Sequence, residues 1–305
     1  TLMAHHWQHE LLFVQQRKQS ELLFVDQQGQ SHAWSLPSWE NEQLDWLVIT
    51  TKASDTLTAL ESIRTKLDKI DRLMLLQNGM GQQQAVCDWL SKHQVATELW
   101  VASSTEGAYV ENGHVIYAGA GQTFAGPWGK ESNQAVTTHN DDAHSDKQPI
   151  LPPKIIYDEH IKTRLYGKLV INAVINPLTG FYRCHNGELL TNTDYYAHFV
   201  ALADEVSTIA NALQWPVTKT LLQDVENVAR LTANNRSSTL QDILKNKVTE
   251  LPYITGYLLQ QAQLIGLSAP LNQILYSALY CEENSAQNSA QVPQHELFDP
   301  GTVSE

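Results

Sequence analysis

Cysteine is scarce in this chain of 305 residues: Cys87, Cys184 and Cys281 stand far apart and form no C-x-x-C pair, so the thiols are expected to be free. Basic residues are few as well, 20 Lys and Arg against 33 Asp and Glu, and none of them forms a dense block. With a formal charge of -13, the chain lacks the clustered cations that a nucleic acid or an anionic membrane surface calls for. No run approaches the roughly twenty uninterrupted apolar residues that a bilayer span needs. The opening Thr-Leu-Met-Ala-His-His-Trp has no basic segment followed by an apolar one, so no secretory signal is read. These absences together predict a cytoplasmic protein. Histidine is plentiful, twelve in all, yet His5, His6, His9, His139, His144 and His160 lie in unrelated contexts without ligand spacing, and no metal is expected.

Three short apolar runs punctuate the first third: Leu11 to Val14, Trp46 to Thr51 and Leu73 to Leu76. Each has the length of a strand and is apolar on both faces, as buried parallel strands are. Helix-like segments at about 55–67 and 82–93 separate the later runs, which gives a βαβαβ order and a parallel sheet. Ligands of such sheets sit at the carboxyl ends of the strands, where Lys52 and Asn78 stand. The pattern predicts an α/β domain over 1–128, a polar insertion over 129–153, a helical domain over 154–281 and a disordered tail over 282–305.

A sheet of this kind usually carries G-x-G-x-x-G in the turn after its first strand, and that run is absent. Residues 1–7 read as the end of the first helix, with roughly fifteen residues of strand and turn missing before them. Two other glycine runs do not replace it. Gly119-Ala120-Gly121 is followed by Gly126-Pro127-Trp128 and not by a helix, so it reads as a hairpin or strand turn. Gly79-Met80-Gly81 follows a strand and opens a helix, but Gln84 occupies the next fingerprint position.

Residues 166–176 place Lys168, Asn172 and Asn176 at i, i+4 and i+8, on one helical face. Leu169, Val170, Ile171, Ala173, Val174 and Ile175 make the rest of that segment apolar, so the helix should be buried with its polar stripe toward a cleft. Desolvation lowers the pKa of a lysine in such a place and prepares it to hand a proton to an oxygen. Taken alone, the stripe suits a solvated face or a structural amide network equally well.

Further motifs accompany it. Asn176-Pro177-Leu178-Thr179-Gly180 continues the stripe, Asn186-Gly187-Glu188-Leu189 follows, and Asn78-Gly79-Met80-Gly81 stands far upstream. Downstream lies Ser237-Ser238-Thr239-Leu240-Gln241-Asp242, with Glu250 twelve residues after Ser238 and then Tyr253-Ile254-x-Gly256. On these motifs, in this order and over about residues 10–280, the chain resembles the ketopantoate reductases.

That resemblance implies an α/β Rossmann-type domain, here N-terminally truncated, followed by an all-α domain. It implies NADPH-dependent reduction of 2-dehydropantoate to pantoate on the route to coenzyme A, with Lys168 as the catalytic proton donor. Asn78, Asn172, Asn176, Asn186 and Ser238 match positions that hold the substrate, and Asn235, three residues before Ser238, is expected one helical turn away from it. Asn78 and Glu250 match cofactor-binding positions, and Lys52 sits where a strand-end lysine approaches the cofactor. At the end of the second strand, Gln15-Gln16-Arg17-Lys18 carries no acid for the ribose hydroxyls, and Arg17 suits the 2′-phosphate of NADPH. The partner is a small 2-oxo acid; monomer and homodimer both stay open. A different oxo-acid reductase of the β-hydroxyacid dehydrogenase type, or a non-catalytic binding module, is the alternative that the residues leave standing.

Overall fold

A computed structural model of the protein describes residues 22–34, 37–129, 150–217 and 220–288. The apolar run at 11–14 and Arg17 lie outside them. Contacts divide the described residues into two units. One holds those up to Thr51, Asp55 to Gln77 and Gln83 to Lys162; the other holds Lys52 to Ser54, Asn78 to Gln82 and those from Thr163 onward.

The first unit is built on two sheets. Strands β1 (Leu22–Val25) and β2 (Ser31–Trp34) pair antiparallel. The apolar runs then form β3 (Leu44–Ile49) and β4 (Ile70–Leu75), joined by helix α1 (Thr56–Ser62) and a tighter 3-10 turn over Arg64–Lys69. Helix α2 (Gln82–Lys92) leads to β5 (Glu98–Ser104). Strands β3, β4 and β5 are parallel neighbours, as their two-sided apolar character requires. Leu73, Met74 and Leu75 of β4 are buried, and the Trp46 ring meets Trp100 edge-on at 5.1 Å between centroids.

Beyond β5 the chain turns back on itself. Strands β6 (Gly107–Glu111) and β7 (His114–Gly119) form a hairpin around Asn112-Gly113, both at positive φ, as a tight two-residue turn demands. This sheet runs β2-β1-β7-β6. The segment after Gly119 is a strand-to-strand link, since β8 (Thr123–Pro127) pairs with β5 in the other sheet. Strand β9 (Ile155–Tyr157) then pairs with β8 to complete the order β3-β4-β5-β8-β9. The expectation of helix from residue 154 is corrected here: Ile155, Ile156 and Tyr157 are branched and aromatic residues that favour an extended edge, and the first unit runs on to Lys162.

The second unit is helical. Its longest member, α3 (Ile161–Tyr182), contains Pro177, whose missing N–H costs a ladder bond. Thr179 Oγ donates to the carbonyls of Ile175 and Asn176 just there. Helices α4 (Glu188–Thr191), α5 (Thr193–Ala212), α6 (Leu221–Leu231), α7 (Ser238–Leu244), α8 (Leu251–Leu264) and α9 (Pro270–Asn288) follow. Their core includes Leu169, Val174, Leu178, Phe199, Val206, Leu251 and Leu258. The tail expected from 282 is corrected over 282–288, which continue α9; Glu283 there is held by Thr249. Among the described residues no helix is long and apolar enough to cross a membrane.

Candidate active site

The helical unit gathers three short stretches of sequence around Glu250. The first is the turn 78–81. Gly79 has φ +80°, and a Cβ on it would lie 2.5 Å from the carbonyl oxygen of Tyr253, so both the backbone conformation and the close approach require glycine. The Met80 N–H donates to that same Tyr253 carbonyl at 2.8 Å. Gln82 fastens the turn from behind, its amide donating to the carbonyls of Asn78 at 3.3 Å and Gly79 at 3.2 Å. Held in this way, Asn78 Nδ2 donates to Glu250 Oε2 at 3.0 Å.

The second stretch is 52–54. The Lys52 ammonium lies 2.7 Å from Asp242 Oδ2 and also donates to the Val248 carbonyl, while the Ala53 backbone N–H serves the Glu250 carboxylate. The third is the turn into α8. Glu250 is the residue at the N-cap, yet its side chain makes no capping bond and is directed to Asn78 instead. Burial pushes the Glu250 carboxyl above its ordinary value. The Asn78 hydrogen bond, the Lys52 charge and the Ala53 N–H oppose that shift, and the Asp242 charge adds to it.

Lys168 is half-buried on α3, and desolvation pushes its ammonium pKa down, with the Glu250 charge acting the other way. Burial thus biases both Lys168 and Glu250 toward their uncharged forms, and the Glu250 charge favours the ammonium of Lys168. A lysine whose pKa is pushed down gives up its proton more readily than a solvated one. Among the described residues, no group of three or more His, Cys, Asp or Glu side chains could hold a metal ion.

The remaining predicted residues fall in the same unit with differing commitments. Asn172 is half-buried and makes no side-chain hydrogen bond among the described residues. Asn176 is 5% exposed, and its amide is 3.5 Å from Ser238 Oγ, a long contact. Ser238 is exposed at the first turn of α7; the serine that caps this helix is Ser237, whose Oγ accepts from Leu240 N–H at 3.1 Å and lies in hydrogen-bond contact with Thr179 Oγ at 2.7 Å. Asn186 is 7% exposed, donates to Thr232 Oγ at 2.9 Å, and keeps a buried carbonyl oxygen with no hydrogen-bond partner among the described residues. Asn235 lies in the turn before α7 and not on a helix, which corrects the expected helical spacing to Ser238. Its carbonyl accepts the Asn186 N–H at 3.0 Å, a bond that a helical backbone would have used internally.

Five contributors escaped the sequence reading. Asp242 was visible only as the end of a motif, although an acid four residues after Ser238 shares its helical face. Gln82, Thr249 and Glu283 gave no signal, because their partners lie far away in sequence or in backbone groups. The Ala53 N–H is a main-chain donor and has no signature at all.

The family model described as Ketopantoate reductase PanE/ApbA matches residues 5–130, and its C-terminal counterpart matches residues 160–281. The 2-dehydropantoate 2-reductase of Yersinia pestis is 31% identical over 243 residues, 79% of this chain and 75% of the relative. That of Bacillus subtilis is 32% identical over 254 residues, 80% of this chain and 78% of the relative. The crystal structure of probable 2-dehydropantoate 2-reductase panE from Bacillus subtilis covers 90% of this chain and 92% of its own, with a TM-score of 0.68 at 28% identity. A D-mandelate dehydrogenase with NADH and anilino(oxo)acetate reaches a TM-score of 0.76 over 94% of each chain, and at 18% identity this is a likeness of fold alone. The architecture is that of a Rossmann-like N-terminal α/β domain followed by a helical C-terminal domain.

Proposed function

Because the chain belongs to the ketopantoate reductase family, a family of oxidoreductases, we propose that it reduces 2-dehydropantoate to pantoate with NADPH, and that Lys168 is the proton donor. The observation that carries this reading is the bond from Asn78 to the Glu250 carboxylate, whose charge acts on a desolvated Lys168 in the same unit.

A nicotinamide cofactor fits the donor set. Asn78 spends one N–H on Glu250 and keeps its carbonyl oxygen and second N–H, and Glu250 adds an acceptor, a combination suited to a carboxamide and to ribose hydroxyls. Both lie in or beside stretches that follow the carboxyl ends of parallel strands. Asn78 and Glu250 would hold the nicotinamide half, and Arg17 would meet the 2′-phosphate. Lys52, already on Asp242 and the Val248 carbonyl, would act there chiefly through its charge. When bound, the reduced cofactor supplies a hydride to the carbonyl carbon of the 2-oxo acid.

Lys168 does the rest of the chemistry. Its ammonium stabilises the negative charge that grows on the carbonyl oxygen and then gives up a proton to it, which its lowered pKa makes easier. Asn172 and Asn176 on the same helical face, with Ser238 beside Asn176, offer donors and acceptors to the carboxylate and hydroxyl of the substrate. Asn186, with its unpartnered buried carbonyl oxygen, and Asn235 complete that group. The test is 2-dehydropantoate-dependent NADPH oxidation, compared with a panel of other 2-oxo acids. Preference for 2-dehydropantoate is expected; turnover only with another acid would overturn the substrate assignment.

A further inference from the structure

We infer that Glu283, on α9, is a positioning residue for the site: by clasping Thr249 it fixes the turn that presents Glu250 to Asn78. The inference rests on Glu250 being the working carboxylate of the proposed reaction. The clasp is two-pronged, since Glu283 Oε2 accepts the Thr249 hydroxyl at 2.9 Å and Oε1 accepts the Thr249 N–H at 3.3 Å. Thr249 is 4% exposed, so this carboxylate satisfies polar groups that water does not reach freely. The Thr249 Oγ in turn accepts the Leu251 N–H at 3.3 Å.

The need for such a clasp follows from what Glu250 does. A residue at an N-cap ordinarily spends its side chain on the exposed N–H groups of the first turn. Glu250 cannot, because its carboxylate is given to Asn78. Thr249 therefore supplies the oxygen for the first turn of α8, and Glu283 adds a carboxylate near the positive end of that helix. One turn further on, the Tyr253 carbonyl receives the Met80 N–H, so the start of α8 also sets the Asn78 turn. Displacing Thr249 would thus move donor and acceptor of the Asn78–Glu250 bond together.

The experiment compares wild type, Glu283→Gln, Glu283→Ala and Thr249→Val, each also in a Glu250→Gln background. Native-state amide exchange in the ligand-free protein is expected to speed about tenfold at Leu251 and Met80 in Glu283→Ala, with Leu258 in mid-helix little changed. In 2-dehydropantoate-dependent NADPH oxidation, Glu283→Ala should lower kcat about tenfold with little change in KM, Glu283→Gln should recover part of it, and the loss should vanish in the Glu250→Gln background. Unchanged exchange at Leu251 and Met80, or a kcat loss repeated in full in the Glu250→Gln background, would overturn the positioning role. Wild-type turnover by Glu250→Gln alone would instead overturn the reading of Glu250, leaving the exchange result to decide the clasp. Thr249→Val keeps the N–H to Glu283 and loses the hydroxyl, so it provides the same exchange test should Glu283→Ala fail to fold.

Discussion

Asn78 donates to Glu250 across 172 residues of sequence, and in doing so it steadies the charge on a carboxylate that burial pushes toward its neutral form. Removal of the donor in Asn78→Ala should push the Glu250 carboxyl further up. The acid limb of kcat/KM for NADPH oxidation should then move to higher pH, and kcat/KM at neutral pH should fall by about tenfold or more, the scale of a hydrogen bond to a charged group. An acid limb that stays in place would show that Asn78 acts elsewhere.

Lys168 is the sharpest single test of the chemistry. Lys168→Ala deletes both the proton donor and the charge that stabilises the developing alkoxide, and kcat should fall by roughly a hundredfold to ten-thousandfold. Since Glu250 holds the Lys168 pKa up against burial, Glu250→Gln should move the basic limb of the wild-type pH profile to lower pH. Near-normal turnover in Lys168→Ala would remove the mechanism.

The same carboxylate carries a stability cost whose sign can be worked out. The Glu250 pKa is raised on folding, so the folded state holds its proton above pH 4.5, where the unfolded chain gives it up; stability declines as pH rises through that window and the full cost is present above the folded value. Glu250→Gln should therefore melt at a higher temperature than wild type near neutral pH, and the advantage should shrink as pH falls toward 4.5. Calorimetry of both proteins across this range would show it. A lower melting temperature for Glu250→Gln at neutral pH would contradict the argument.

Gly79 tests the turn itself. Alanine there would meet the Tyr253 oxygen at 2.5 Å in a backbone conformation of φ +80°, so Gly79→Ala must break either the turn or the Met80 bond to Tyr253. A loss of at least about 2 kcal/mol in denaturant unfolding is expected, together with loss of turnover. A variant as stable as wild type would mean that α8 can retreat without cost.

What the sequence revealed divides along physical lines. Strands β3 and β4 were legible because parallel strands covered on both faces leave unbroken apolar runs, and the stripe of Lys168, Asn172 and Asn176 was legible because helical spacing is local. Strand β9 was not, since three residues cannot establish a period. Six of the seven residues by which α9 outlasts its expected end are polar, and Glu283 is held there through a tertiary bond to Thr249 that no local pattern announces. The Asn235 turn was misplaced for a related reason: its register is set by backbone bonds to Asn186 and Gly187, which leave no mark on side-chain spacing. The motifs thus named Asn78 and Glu250, but the bond between them belongs to the fold.

Lys52 and Asp242 make a pair whose members pull Glu250 in opposite directions, and this yields a prediction that a purely structural ion pair would not. They lie 2.7 Å apart; the Lys52 charge lowers the Glu250 pKa and the Asp242 charge raises it. Asp242→Asn keeps the shape of the side chain and removes only the opposing charge, so the acid limb of kcat/KM should move to lower pH. Lys52→Met removes the supporting charge and also leaves Asp242 unneutralised, so the limb should move to higher pH, and by more. The double variant should lie between the two, because each charge is then missing along with its counterpart. Loss of the ion pair alone would disturb both single variants alike, through the Val248 turn that Lys52 also holds. Displacement of the limb in the same direction in both would therefore assign the pair to anchoring, and opposite displacements assign it to setting the charge of Glu250.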